Sequence, residues 1–184
     1  MPESKKQLFK QFPKIARLTR PCIITEKIDG MNAQICITED GQFLTGSRSQ
    51  YITPENDTHG FSKWAHDHKE DLMKLGVGTH FGEWWGSGIQ RGYGLKNGEK
   101  RFSLFNRSRW ADEAARPSCC SVVPLLYEGM FDTAKADECI GFLREKGSVA
   151  APGFMRPEGI VIFHIPGNVG FKKTLDKDEE WKSK

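Results

Sequence analysis

Thr25-Glu26-Lys27-Ile28-Asp29-Gly30-Met31-Asn32 is the stretch on which the reading of this chain turns. A lysine stands just before Asp-Gly, with apolar segments on both sides. Upstream, residues 22–28 (C-I-I-T-E-K-I) are rich in β-branched side chains and bounded by Pro21 and Asp29-Gly30, the pattern of a strand. Downstream, residues 32–38 (N-A-Q-I-C-I-T) alternate small or apolar with polar, the pattern of a second strand. Asp-Gly between two such runs is a hairpin signal, so the two strands are expected to pair antiparallel. Lys27 then ends a strand beside a tight turn, a rigid and accessible place for a reactive group. Taken alone, the same lysine reads as a solvated hairpin residue. The rest of the chain has to supply what a reactive lysine needs.

Working outward, Asp40-Gly41 turns the chain into a short strand at 42–45. Phe61, Trp64, Ala65, His68, Leu72 and Leu75 fall at helical spacing within 58–75, closed by Gly76 and Gly78. Strands are expected at 80–85, at 101–106, at 122–127 (interrupted by Pro124), at 158–163 and at 169–175, with a glycine-rich loop over 86–94. Asp132 or Thr133 caps a helix running to about Lys146, where Gly147 stops it. Residues 1–14 form a polar lead-in, with Leu8, Phe9 and Phe12 placed to dock a short helix, and the charged tail 176–184 is expected to fray. With no repeat and no long linker, the expectation is one domain over 1–184: α+β, mainly antiparallel sheets with flanking helices.

The 184 residues are 38% hydrophobic and 28% charged with a formal net charge of +3, values of a folded domain rather than a disordered one. Mild basicity permits nucleic-acid contact without requiring it. The five cysteines have no C-x-x-C spacing, so reduced thiols are expected rather than a zinc site or a disulfide framework. The N-terminal segment lacks the apolar core of a signal peptide, and no apolar run reaches the ~20 residues of a membrane span. The expected location is the cytoplasm, or the host cytoplasm if a phage encodes the chain.

Five segments, in order, resemble the motifs of the covalent nucleotidyltransferases, the polynucleotide ligases and capping enzymes that carry a nucleotide on a lysine. They are Lys27-Ile28-Asp29-Gly30, Phe81-Gly82-Glu83, Phe102-Ser103-Leu104-Phe105, Glu158-Gly159-Ile160-Val161-Ile162 and Phe171-Lys172-Lys173. Asn32 and the run Gly86-x-Gly88-Ile89-Gln90 look like the RNA ligases, specifically the phage-type branch that seals nicks in duplexes. The resemblance spans about residues 12 to 175. It implies the adenylation-domain architecture of that superfamily, which is ATP-grasp-like, and an ATP-dependent RNA ligase. ATP and Mg2+, with Mn2+ as a substitute, would be the cofactors, and the partner an RNA or RNA/DNA duplex with a 5′-phosphate end.

By the same resemblance, Lys27 attacks the α-phosphate. A free lysine is protonated at neutral pH, so the chemistry needs positive charge nearby. Lys172 or Lys173 would supply it, and a divalent ion more. Asp29 assists or orients the lysine. Glu83 accepts from a ribose hydroxyl, Phe102 stacks on the base, and Arg48 contacts the nucleotide and the 5′-phosphate end. Glu158 holds the metal ion. Glu26, Gly30 and Asn32 complete the nucleotide-binding set. Phe102 and Phe105 are three apart on a strand and face oppositely, so only one of them turns to the nucleotide; the motif favours Phe102.

Two departures stand out. The last motif of the family has two lysines separated by one residue; here they are adjacent and face opposite ways, Lys172 matches the first, and Thr174 takes the second place. About ten residues follow that motif, so the further C-terminal domain common in this group is expected to be absent, with an accessory partner in its place. A DNA ligase or capping-type guanylyltransferase on the same fold, and a non-catalytic module that binds nucleic-acid ends, remain the alternatives.

Overall fold

The structure, a computed structural model, describes residues 11–176. The lead-in over 1–10 and the tail over 177–184 lie outside it; Phe12 is exposed, in a stretch without regular structure.

Two sheets make up the fold. The first has four strands in the order β10-β9-β1-β8: β1 (Pro21–Lys27), β8 (Leu125–Met130), β9 (Gly159–His164) and β10 (Val169–Thr174), all antiparallel. The second has six strands in the order β4-β3-β2-β5-β6-β7: β2 (Met31–Ile37), β3 (Phe43–Gly46), β4 (Tyr51–Ile52), β5 (Gly78–Gly86), β6 (Lys100–Leu104) and β7 (Cys120–Val122). Among the described residues, β6 and β7 are the one parallel pair. Helices α1 (Phe61–Asp67), α2 (Lys69–Leu72), α3 (Arg107–Trp110) and α4 (Thr133–Lys146) pack around them. This is the expected α+β class.

The hairpin expected at Asp29-Gly30 does not form. β1 pairs with β8 and β9, while β2 pairs with β3 and β5. Residues 28–30 carry the chain from one sheet to the other. The reason is local packing: Ile28 is buried in a small core with Trp85, Tyr93, Val123 and Ala151 that fills the seam between the sheets. Gly30 passes so close to β5 that a Cβ there would lie 2.5 Å from the Trp84 carbonyl oxygen. An isolated hairpin would leave Ile28 in water, and burial of an apolar residue of this size is worth about 2 kcal/mol.

Each sheet has its own core on its outer face. Trp84 and Phe102, neighbours across β5 and β6, meet Phe61 and Trp64 of α1; the Phe61–Phe102 ring centroids are 5.1 Å apart. Cys22, Ile24, Ile160 and Ile162 meet Ala136, Cys139, Ile140 and Leu143 of α4. That helix has the expected bounds, with the Asp132 carboxylate accepting from the Ala134 N–H and Gly147 at φ +80° ending it. The single helix expected over 58–75 is broken at His68 into α1, α2 and a 3-10 turn (Met73–Leu75). Pro124, which has no N–H for a ladder, separates β7 from β8. The five cysteines are free thiols. No helix among the described residues is long and apolar enough to cross a membrane.

Candidate active site

β1 and β9 contribute one wall of a cavity of about 550 Å3, and β2, β5 and the segment after β6 the other. Alternation along the strands decides which side chains enter it. On β1 these are Ile23, Thr25 and Lys27, and on β9 Val161 and Phe163; the residues between them face α4. On β5 they are Thr79, Phe81 and Glu83, joined by His80, while Trp84 faces the core. The cavity is polar at one end, where Lys27, Glu83 and Asn32 converge, and apolar in the middle, where Phe81, Phe105, Val161 and Phe163 line it.

At the polar end Lys27 Nζ lies 2.6 Å from Glu158 Oε2, a part-buried ion pair joining the last residue of β1 to the residue before β9. Glu83 ties the start of β2 to β5: Oε1 accepts from the Gly30 N–H at 2.9 Å and Oε2 from the Asn32 amide at 3.1 Å. Burial pushes its carboxyl up to about 7, with Lys27 and the Gly30 N–H pulling the other way. A group raised from 4.5 to about 7 favours the folded state below pH 4.5 and loses that contribution as pH rises through 7. The difference is on the order of 3 kcal/mol. Glu83→Gln, which keeps the shape without the charge, should therefore melt higher than the parent at pH 8, with the gap closing toward pH 5 in paired thermal melts. An equal gap at both values would contradict this.

Glu26 is among the residues lining the cavity, but its carboxylate turns to the loop after α4. Its buried carboxylate accepts from Ser148 Oγ at 2.6 Å and from the Val149 and Ala150 N–H groups at 2.8 and 2.9 Å. Burial raises its pKa and those bonds oppose the shift. Three bonds tie this carboxylate, expected at the nucleotide, to the loop after α4, where it braces the strand beneath Lys27. In Glu26→Gln one amide N–H must face a backbone donor, which should cost about 2 kcal/mol in urea unfolding; a loss below a few tenths would refute the brace.

Phe102 is a correction. Its ring is fully buried against Phe61 and Trp64, with no surface on which a base could stack. Phe105, 40% exposed and on the opposite side of the strand's alternation, lines the cavity instead. Arg48 sits in an exposed turn after β3 and does not line the cavity. Asp29 turns its carboxylate to Arg91 Nε at 3.0 Å, not to Lys27, and its N–H donates to Tyr93 Oη at 2.9 Å. Lys172 pairs with Val161 and so shares the cavity-facing side of the sheet, whereas Lys173 pairs with Ile160 on the α4 side and reaches Asp137 at 2.8 Å. Expecting Lys173 at the nucleotide is thus corrected by the alternation that separates it from Lys172.

Sequence reasoning missed Tyr93 and the tie between Arg91 and Asp29. The glycine-rich loop holding Arg91 and Tyr93 gave no periodicity to read, and its motif signal, Gly86-x-Gly88-Ile89-Gln90, stops just before Arg91. Among the described residues no three His, Cys, Asp or Glu side chains gather into a metal cage. One carboxylate beside a lysine fits a magnesium-type ion that keeps its waters and takes its other ligands from phosphates.

A two-sheet fold with a lysine at the seam, a carboxylate on each side and a cavity between defines a nucleotidyltransferase-like architecture. Within that class the chain belongs to the RNA ligase family, whose sequence profile matches residues 20–173. Its fold is similar to solved structures of the Naegleria gruberi RNA ligase. A variant with ATP and Mn matches with a TM-score of 0.63 at 18% identity, over 86% of this chain and 51% of that one. A variant with AMP and Mn gives 0.60 at 19%, over 85% and 50%. The enzyme with PPi gives 0.59 at 20%, over 85% and 50%. The chain thus spans about half the length of these proteins. A search of curated protein sequences finds no match.

Proposed function

We propose that this chain is the adenylyl-transferring part of an ATP-dependent RNA ligase. The observation that carries the reading is the convergence of Lys27, Glu83 and Glu158 at the polar end of the cavity, with the Phe105 ring further in. The cavity's volume suits a nucleotide. In this reading the base lies in the apolar middle between Phe105 and Val161, the ribose meets Glu83, and the α-phosphate reaches Lys27. The solved structures of the Naegleria gruberi enzyme with ATP or AMP and Mn support the choice of ligand and of a divalent ion. Glu158 would anchor such an ion, which would neutralise phosphate charge when bound.

The lysine needs a free electron pair on Nζ. It must therefore leave its ion pair with Glu158 and give up a proton before it attacks. Attack at the α-phosphorus forms a P–N bond and breaks the bond to the β-phosphate oxygen, releasing pyrophosphate. A 5′-phosphate oxygen then displaces the lysine and takes the AMP. Finally a 3′-hydroxyl displaces AMP, giving the phosphodiester. Lys172, on the cavity side of β10, supplies charge toward the phosphates. Positioning and charge neutralisation carry most of such a transfer.

Gly86-Ser87-Gly88-Ile89-Gln90 and Asn32 support the branch that seals nicks in duplexes. The test is incubation with α-labelled ATP and a divalent ion, then nicked RNA, DNA and hybrid duplexes with 5′-phosphate ends. The expected result is a label that survives denaturation and sealing that requires RNA at the nick. A label from GTP alone would favour a capping-type enzyme. Sealing of all-DNA nicks as fast as RNA would favour a DNA ligase, and no label with either nucleotide would defeat the covalent mechanism.

A further inference from the structure

We infer that Arg91 is a positioning residue that ties the turn after the nucleophile to the segment that delivers Glu158, and so sets the geometry of the Lys27–Glu158 pair. The inference rests on the adenylyl-transfer reading above.

Arg91 lies in the loop between β5 and β6, far in sequence from both segments it joins. Its Nε donates to Asp29 Oδ2 at 3.0 Å. Its Nη1 donates to the Arg156 carbonyl at 3.1 Å and reaches the Pro157 carbonyl and the Asp176 carboxylate at 3.5 and 3.3 Å. Asp29 is two residues after Lys27, and Pro157 immediately precedes Glu158. One planar guanidinium therefore fixes both sides of the 2.6 Å contact between Lys27 and Glu158 without touching either side chain. The loop itself is anchored: Tyr93, two residues on, packs on Trp85 and Phe154, accepts from the Asp29 N–H and reaches the Lys27 carbonyl at 3.5 Å. Arginine suits this task because its donors point in fixed, separate directions; a lysine ammonium on a flexible stem reaches one side at a time.

A charge whose partners are two carboxylates and backbone carbonyls of the same fold is not poised for a phosphate backbone. Its work is orientation, and a displacement of about 1 Å at a reacting group can cost roughly 10²-fold in rate. The expected signature is a loss in the rate at saturating nucleotide with the nucleotide KM held within a few-fold, since neither the cavity's apolar middle nor Glu83 depends on Arg91.

The experiment measures single-turnover labelling of Lys27 by α-labelled ATP across nucleotide concentrations, for the parent, Arg91→Ala, Arg91→Lys, Asp29→Asn and the double variant Arg91→Ala/Asp29→Asn, with a melting temperature for each. Arg91→Ala is expected to label about 10²-fold more slowly at saturation, Arg91→Lys to fall between it and the parent, and the double variant to be no slower than the worse single one. Equal labelling rates in parent and Arg91→Ala overturn the inference. So does a loss seen only in KM, or a loss in Arg91→Lys and Asp29→Asn that tracks their folded fraction alone. An unlabelled parent removes the adenylyl-transfer reading and this one with it, so the two failures are distinct.

Discussion

Lys27→Ala yields a chain that stays folded and takes no label from α-labelled ATP, a loss of at least roughly 10⁴-fold. Truncation deletes the only atom that can form the phosphoramide bond in this reading. It also leaves Glu158 without its ion-pair partner at 2.6 Å. That carboxylate retains contact with water, so the stability change is small beside the loss of chemistry. Lys27→Arg sharpens the result. Arginine keeps a cation opposite Glu158, yet a guanidinium does not shed its proton to become a nucleophile, so it too fails to label. A folded Lys27→Ala protein that still carried label after denaturation would place the covalent bond elsewhere and end the mechanism.

Gly159→Ala is the second large effect, and it is a folding effect. Gly159 opens β9, pairing with Lys27 on one side and Thr174 on the other. Its φ is +154°, and a Cβ there would lie 2.2 Å from the Lys173 carbonyl oxygen and 2.7 Å from the Thr174 Cα. Both contacts are backbone, so neither can swing aside. β9 and β10 must separate, at a cost of about 3–5 kcal/mol, the range of the most damaging single substitutions. Urea unfolding of Gly159→Ala against the parent checks this; a loss under 1 kcal/mol would mean that the strands absorb the methyl group. Because Gly159 is the cross-strand neighbour of Lys27, the surviving folded fraction should also label more slowly.

The strands and α4 were legible because local composition fixes them. β-branched runs between glycine and proline mark β1, β2 and β9, and an Asx cap with a terminal glycine marks α4. The partners of those strands were not legible. Asp29-Gly30 has the chemistry of a hairpin turn, and nothing within eight residues reveals that Ile28 will be buried with Trp85 and Ala151. The same limit governed the site. Motifs pointed to Lys27, Glu83 and Glu158, which the structure brings together, and the alternation of β10 separates Lys172 from Lys173. Phe102 went astray because a motif records which residue types are present, while the face they occupy is set by pairing across strands. Phe102 sits beside Trp84, and Trp84 faces α1.

The crossing at residues 28–30 also bears on how the molecule acquires its chemistry. Lys27 and Glu158 are separated by 131 positions in the chain, and Gly30 and Glu83 by 53. The first contact forms within the four-stranded sheet and the second at the β2–β5 pair of the six-stranded one, so Lys27 and Glu158 meet Glu83 only when the two sheets have closed on one another. Such long loops are costly to close, and chains dominated by them fold slowly. Competence to accept a nucleotide should therefore emerge last during refolding, after the spectroscopic signals of either sheet. The covalent label would then serve as a clock for the completed fold, reporting an event that circular dichroism has already passed over.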